Sequence, residues 1–161
     1  VKMMKTIFIT GASSGIGKAT AELFSANGWQ VIATMRNPEK GKALTELPNT
    51  VVMPLDVTNT KQIQETCRKT LEQYDVDVLF NNAGYGIMAP LEPFRKLTSA
   101  GCSIGCHRNN DCYTTVHTDF KKRRSGTILT TTSLAASSDF PVSRIWGGKT
   151  GTGRHGRIPL L

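Results

Sequence analysis

Between residues 1 and 94, short continuous apolar runs alternate with longer stretches of mixed character. The runs at 5–10 (KTIFIT), 29–34, 50–55 and 76–81 have the length and the Val, Ile, Phe and Thr content of buried strands. The stretches between them predict helices over about 15–27, 40–47 and 60–74, the last opened by Thr58 or Asn59 as a cap. In the first of these, Ile16, Ala19, Leu23 and Phe24 form a stripe expected to face the core, and Gly28 ends the helix. Strand and helix in regular alternation predict an α/β fold with a doubly wound parallel sheet of about five strands.

The texture then changes. Residues 98–119 hold three of the four cysteines and show no helical apolar period, which predicts an irregular segment. Order returns at FKKRRSGTILTTTS, residues 120–133, read as a helix end, a turn and a fifth strand from about Thr127 to Thr132. Beyond Arg144, the glycines at 147, 148, 151, 153 and 156 are too dense for a helix, so 144–161 is also expected to be irregular.

The junction after the first strand carries the clearest chemistry. Thr10 runs directly into Gly11-Ala12-Ser13-Ser14-Gly15-Ile16-Gly17, which opens the first helix. Glycines there permit a tight turn and a close backbone approach, and the positive end of the helix favours a phosphate. The G-x-x-x-G-x-G spacing resembles the opening TGxxxGxG motif of the short-chain dehydrogenase/reductase family. Two further family motifs follow in order: Asp56-Val57 after the third strand, and Asn81-Asn82-Ala83-Gly84 after the fourth. The resemblance implies a Rossmann-like, single NAD(P)-binding domain over 1–161. In it, Gly11, Ser13, Ser14, Gly15, Ile16 and Gly17 would surround the pyrophosphate, Asp56 and Val57 the adenine, and Asn82, Ala83 and Gly84 the nicotinamide ribose. Ser13 and Ser14 read equally as hydroxyl donors to the phosphates or as turn formers.

The family's chemistry rests on an Asn, a Ser and a Tyr-x-x-x-Lys pair. At family spacing Asn109 takes the Asn position and Ser133 the Ser position, while Trp146 stands where Tyr belongs and Thr150 where Lys belongs. Lys149 falls one residue early and is the remaining basic candidate. An indole N–H donates a hydrogen bond but is no acid near neutral pH, whereas a phenol beside a cation can be tuned toward that role. Family membership therefore implies an oxidoreductase acting on a small carbonyl/alcohol pair, and the missing Tyr implies impaired turnover or a nucleotide-binding module without turnover. Two origins fit family-like blocks flanking alien ones: compensated shifts of reading frame, favoured because the alien segments lack order of their own, or divergence.

The second strand ends in Met35-Arg36-Asn37, with no acid to accept from a ribose 2′-hydroxyl. Arg36 can fork onto a 2′-phosphate, so NADP is expected over NAD. At 161 residues the chain is long enough for one core, yet the family is usually longer, and the resemblance places its last two strands and substrate-covering segment after the catalytic helix. Substrate identity is set by that region.

The net charge of +8 is spread along the chain, apart from Lys121-Lys122-Arg123-Arg124 and the segment 144–157. The first cluster lacks an aromatic stacking platform and reads as a solvated helix end rather than a nucleic-acid site. With no apolar run of membrane-spanning length and no secretory leader, the chain reads as cytoplasmic with no membrane partner. Cys67, Cys102, Cys106 and Cys112 match neither a disulfide framework nor a common zinc spacing, so no metal is expected. Gly147-Gly148-Lys149-Thr150 resembles a P-loop end, but Ser143 stands at its first glycine position and no strand leads into it. Homo-oligomers are common in the family, but their interface helix would fall in the disrupted 98–119 segment.

Overall fold

The computed structural model describes residues 4–84 and 109–131. Five strands, β1 (Thr6–Thr10), β2 (Gln30–Met35), β3 (Thr50–Pro54), β4 (Val76–Asn81) and β5 (Thr127–Thr130), form one sheet in the order β3-β2-β1-β4-β5. Every neighbouring pair is parallel. The chain steps from β1 outward to β3, then crosses to β4 on the other side of β1. That reversal opens a crevice at the carboxyl ends of β1 and β4, where open α/β sheets hold their ligands.

Both faces of the sheet are covered, which is why β1 reads as a continuous apolar run rather than an alternating one. On one face Ile7, Ile9, Val31, Ala33, Met35 and Val78 pack with Ala21 of α1 (Gly15–Ala26) and Leu44 of α2 (Lys42–Thr45). On the other, Phe8, Ile32, Val76 and Leu79 meet Ile63 and Cys67 of α3 (Thr60–Gln73). Cys112, Val116 and Phe120 of α4 (Asn109–Arg123) complete that layer. Large side chains such as Phe8 and Ile32 have no exposure, each contributing about 1.5–3 kcal/mol by leaving water. Where β4 joins β1 the register shifts between Thr6 and Ile7, and the Asp77 carboxylate accepts the Thr6 N–H at 2.8 Å, occupying a donor at the irregularity.

The structure departs from the sequence expectations in four places. The buried residues of α1 are Gly17, Ala21 and Ser25, whereas Ile16 and Leu23 are 61% and 62% exposed and Ala19 is exposed. Small residues let the helix lie close on the sheet, and Ser25 satisfies its hydroxyl on the Pro48 carbonyl at 2.7 Å. The helix expected over 40–47 is split into a 3₁₀ turn, Pro38–Gly41, and the four-residue α2. Asn37 starts the turn by accepting the Glu39 N–H at 3.0 Å, with Pro38 fixing the next φ. β5 stops at Thr130.

The fourth departure is the largest. Residues 109–119, expected to be irregular, belong to α4. Cys112, Val116 and Phe120 recur every fourth residue and are at most 2% exposed, so a narrow apolar stripe does exist there. Arg123 closes the helix by pairing with Asp119 at 2.6 Å, donating to the Val76 carbonyl and lying over the Phe120 ring. The expectations for 98–108 and 144–161 lie outside the described residues. Among the described residues no helix is long and apolar enough to cross a membrane, and no group of three or more His, Cys, Asp and Glu is placed to hold a metal. Cys67 and Cys112 are both fully buried.

Candidate functional site

The glycine loop is held in shape by a polar knot built on Thr10 and Asn82. Thr10, the last residue of β1, is fully buried. Its hydroxyl oxygen accepts the backbone N–H groups of Asn82 and Ala83, each at 3.0 Å, and its proton points to the Phe80 carbonyl at 3.4 Å. The single hydroxyl thereby satisfies two donors and uses its own proton. The Asn82 amide donates to the carbonyls of Thr10 at 3.3 Å and Gly11 at 3.1 Å, and its oxygen accepts the Thr131 hydroxyl at 3.0 Å. Three strand ends, β1, β4 and β5, are tied together by one side chain.

The glycines divide by what surrounds them. Gly11 has φ +71°, and a β-carbon there would lie 2.7 Å from Ala83 Cα. One on Gly17 would overlap the Gly11 carbonyl oxygen and stand 2.6 Å from Asn82 Nδ2. These two positions are packed by the protein itself. Gly15, with φ +57°, differs: nothing lies within 4 Å of an added β-carbon. It stands at the first turn of α1, where Ser14 is extended and makes no side-chain cap and no acidic residue occurs. In α3, by contrast, Asn59 caps the helix by accepting the Gln62 N–H at 3.1 Å. The N-terminus of α1 therefore presents backbone N–H groups without a side-chain cap, beside a glycine that leaves room next to them, which suits an anionic pyrophosphate. Ser13 is half-buried and Ser14 exposed at this turn. Ile16 is 61% exposed.

The remaining loops lie along the same edge of the sheet. Arg36 is exposed directly after β2, and none of the ion pairs among the described residues engages it. Asp56 is half-buried after β3; its carboxylate accepts the Thr58 N–H at 2.8 Å, while its own N–H donates to the Gln62 side chain at 2.9 Å. Val57 has its side chain in the core. Ala83 is half-buried and Gly84 exposed beside the glycine loop. Asn81 is 4% exposed, and its side-chain oxygen has no hydrogen-bond partner among the described residues.

The structure thus gathers Gly11, Ser13, Ser14, Gly15, Ile16, Gly17, Asn82, Ala83 and Gly84 around one crevice, with Arg36, Asp56 and Val57 farther along the edge. Asn109 opens α4, and its side chain lies outside the described residues. Ser133, Lys149, Trp146 and Thr150 lie outside them as well. Sequence reasoning passed over Thr10 and Thr131. A threonine directly before the first glycine was a signal for Thr10, whereas Thr131 had none, because its partner is 49 residues away.

Residues 5–148 match the family model described as short chain dehydrogenase. The chain belongs to that family. It is 33% identical over 148 residues to an NADP-dependent 3-hydroxy acid dehydrogenase of Salmonella typhi, covering 88% of this chain and 59% of the relative. A short-chain dehydrogenase from Streptomyces avermitilis superposes with a TM-score of 0.85 at 27% identity, over 92% of this chain and 56% of the other. An alcohol dehydrogenase from the archaeon Thermococcus sibiricus, complexed with 5-hydroxy-NADP, superposes at 0.80 with 26% identity, over 91% and 67%. The chain thus spans little more than half the length of the first two relatives. For a short-chain dehydrogenase, the parallel five-stranded Rossmann-like sheet and the glycine loop at its switch point are the expected framework.

Proposed function

We propose that this short-chain dehydrogenase binds NADP(H) in the crevice between β1 and β4, and that as an oxidoreductase on a carbonyl/alcohol pair it is impaired. The observation that carries the binding half is the N-terminus of α1, which has neither a side-chain cap nor an acid, beside open space at Gly15. Asn82 and Ala83 hold the loop from behind, so its shape is set before a nucleotide arrives. Arg36, exposed directly after β2, would serve as the fork for a 2′-phosphate, and the NADP dependence of the Salmonella relative supports the same preference.

When bound, the nicotinamide would supply or accept the hydride. This chain's part would be to orient the carbonyl oxygen through Ser133 and to move one proton. With Trp146 at the position of the family's Tyr, Lys149 or a water is left for that proton, with Asn109 at the position of the family's Asn. Lys149 stands one residue before the family's lysine position, so it is a poor substitute for a lysine at 150.

The same substitution favours a second reading, a nucleotide-binding module without turnover. Titration of NADPH and NADH by nicotinamide fluorescence, followed by NADPH oxidation with aldehydes, ketones and quinones, separates the two. Binding with turnover abolished by Ser133→Ala supports the enzyme; binding without turnover supports the module; no binding of either nucleotide removes both.

A further inference from the structure

Thr131 is linked to the glycine loop through the side chain of Asn82. Its backbone N–H donates to the Asn81 carbonyl at 3.0 Å, so the sheet fixes its place one residue beyond β5. From there its hydroxyl donates to Asn82 Oδ1 at 3.0 Å, while the nitrogen of the same amide donates to the Thr10 and Gly11 carbonyls. A planar amide held at its oxygen from one strand and at its nitrogen from another has one orientation. Flipped, it would set its oxygen against two carbonyl oxygens and its NH₂ against the hydroxyl.

We propose that Thr131 is a positioning residue for the nucleotide: its hydroxyl fixes the Asn82 amide, which holds the Gly11 carbonyl and so the curvature of the phosphate loop. The proposal rests on the reading of that loop as a dinucleotide site. Gly11 lies close to Ala83, and its carbonyl oxygen lies beside Gly17 at the start of α1, so a turn of that carbonyl is felt where the helix begins. Releasing the amide lets the Gly11 carbonyl turn, and the N–H groups at the start of α1 turn with it. Asn82 and Thr131 are both only half-buried, so water can take over the vacated hydrogen bonds and the sheet survives the loss. The effect is therefore expected in nucleotide affinity more than in folding.

The test is NADPH titration of the unmodified chain, Thr131→Val, Thr131→Ser, Asn82→Ala and the double variant Asn82→Ala/Thr131→Val. Loss of one hydrogen bond of this kind is expected to weaken NADPH by about fivefold in Thr131→Val. Thr131→Ser should keep the original affinity, and Thr131→Val should add nothing once Asn82 is alanine. Equal affinity in Thr131→Val and the unmodified chain, or the same loss on both backgrounds, would overturn the proposal while leaving the nucleotide site standing. If Asn82→Ala leaves no measurable binding, the serine variant decides: affinity as weak as that of the valine variant overturns it. If Thr131→Val does not fold, Thr131→Ala takes its place in the same comparisons. Absence of NADPH and NADH binding in the unmodified chain would instead bring down the functional reading and the role of Thr131 with it.

Discussion

Gly17 faces Gly11 across a gap that no side chain can enter: a β-carbon on Gly17 would overlap the Gly11 carbonyl oxygen and come within 3.0 Å of its carbon. Gly17→Ala is therefore expected to lower stability by about 1–3 kcal/mol through overpacking, read as a lower urea midpoint, and to weaken nucleotide binding in parallel. Gly15 should behave differently. Its surroundings are open, so Gly15→Val leaves the packing intact, with only the strain of φ +57°, about 1–2 kcal/mol. Its NADPH affinity should nevertheless collapse, because the added carbons would fill the space beside the α1 N-terminus proposed for the pyrophosphate. Undiminished affinity in Gly15→Val would put the cradle elsewhere.

Arg36→Asp should reverse or abolish a preference for NADPH over NADH. The substitution exchanges a fork for the 2′-phosphate for a carboxylate that repels it and can accept from a ribose 2′-hydroxyl. Separate titrations with the two nucleotides give the ratio directly. Equal affinities in the unmodified chain would take Arg36 out of the account.

Helix capping gives a contrast that needs no ligand. Asn59→Ala removes the acceptor of the Gln62 N–H and should cost about 1 kcal/mol of stability. Ser14→Ala, at the corresponding position of α1, removes no side-chain cap and should cost much less. Chemical denaturation of the two variants side by side checks the difference. Comparable losses would mean that the α1 terminus is capped by its serine in solution.

Carbonyl reduction by the chain as it stands should be very weak, and the double substitution Trp146→Tyr/Thr150→Lys should raise it. General acid–base catalysis contributes about 10²- to 10⁴-fold, which bounds the expected gain. NADPH oxidation over a panel of carbonyl compounds measures it. Brisk turnover by the unmodified chain would mean that another group moves the proton.

The sheet was legible because buried parallel strands are written as unbroken apolar runs, and Ile7, Phe8 and Ile9 need no partner to be recognised. The helix faces were harder to read. In α1, counting large apolar residues selected Ile16 and Leu23, but close packing selected Gly17, Ala21 and Ser25, whose smallness is their qualification. In α4 the stripe is one residue per turn, Cys112, Val116 and Phe120, among threonines, asparagines and aspartates of low helix propensity, and its packing against α3 and the sheet sustains it. Within the site, Gly11, Gly15, Gly17 and Asn82 announced themselves as motifs. The link from Asn82 to Thr131 did not, because it exists only once β5 lies beside β4.

Cys67 and Cys112 give the layer beneath the sheet a chemical stopwatch. Both thiols are fully buried in the cluster that joins α3, α4 and the sheet. An alkylating reagent can reach them only while one of those helices has swung away. Their labelling rates, resolved peptide by peptide, therefore count how often each helix parts from the sheet. If the two rates match, α3 and α4 open as one cooperative unit; if Cys112 reacts first, α4 opens independently of α3.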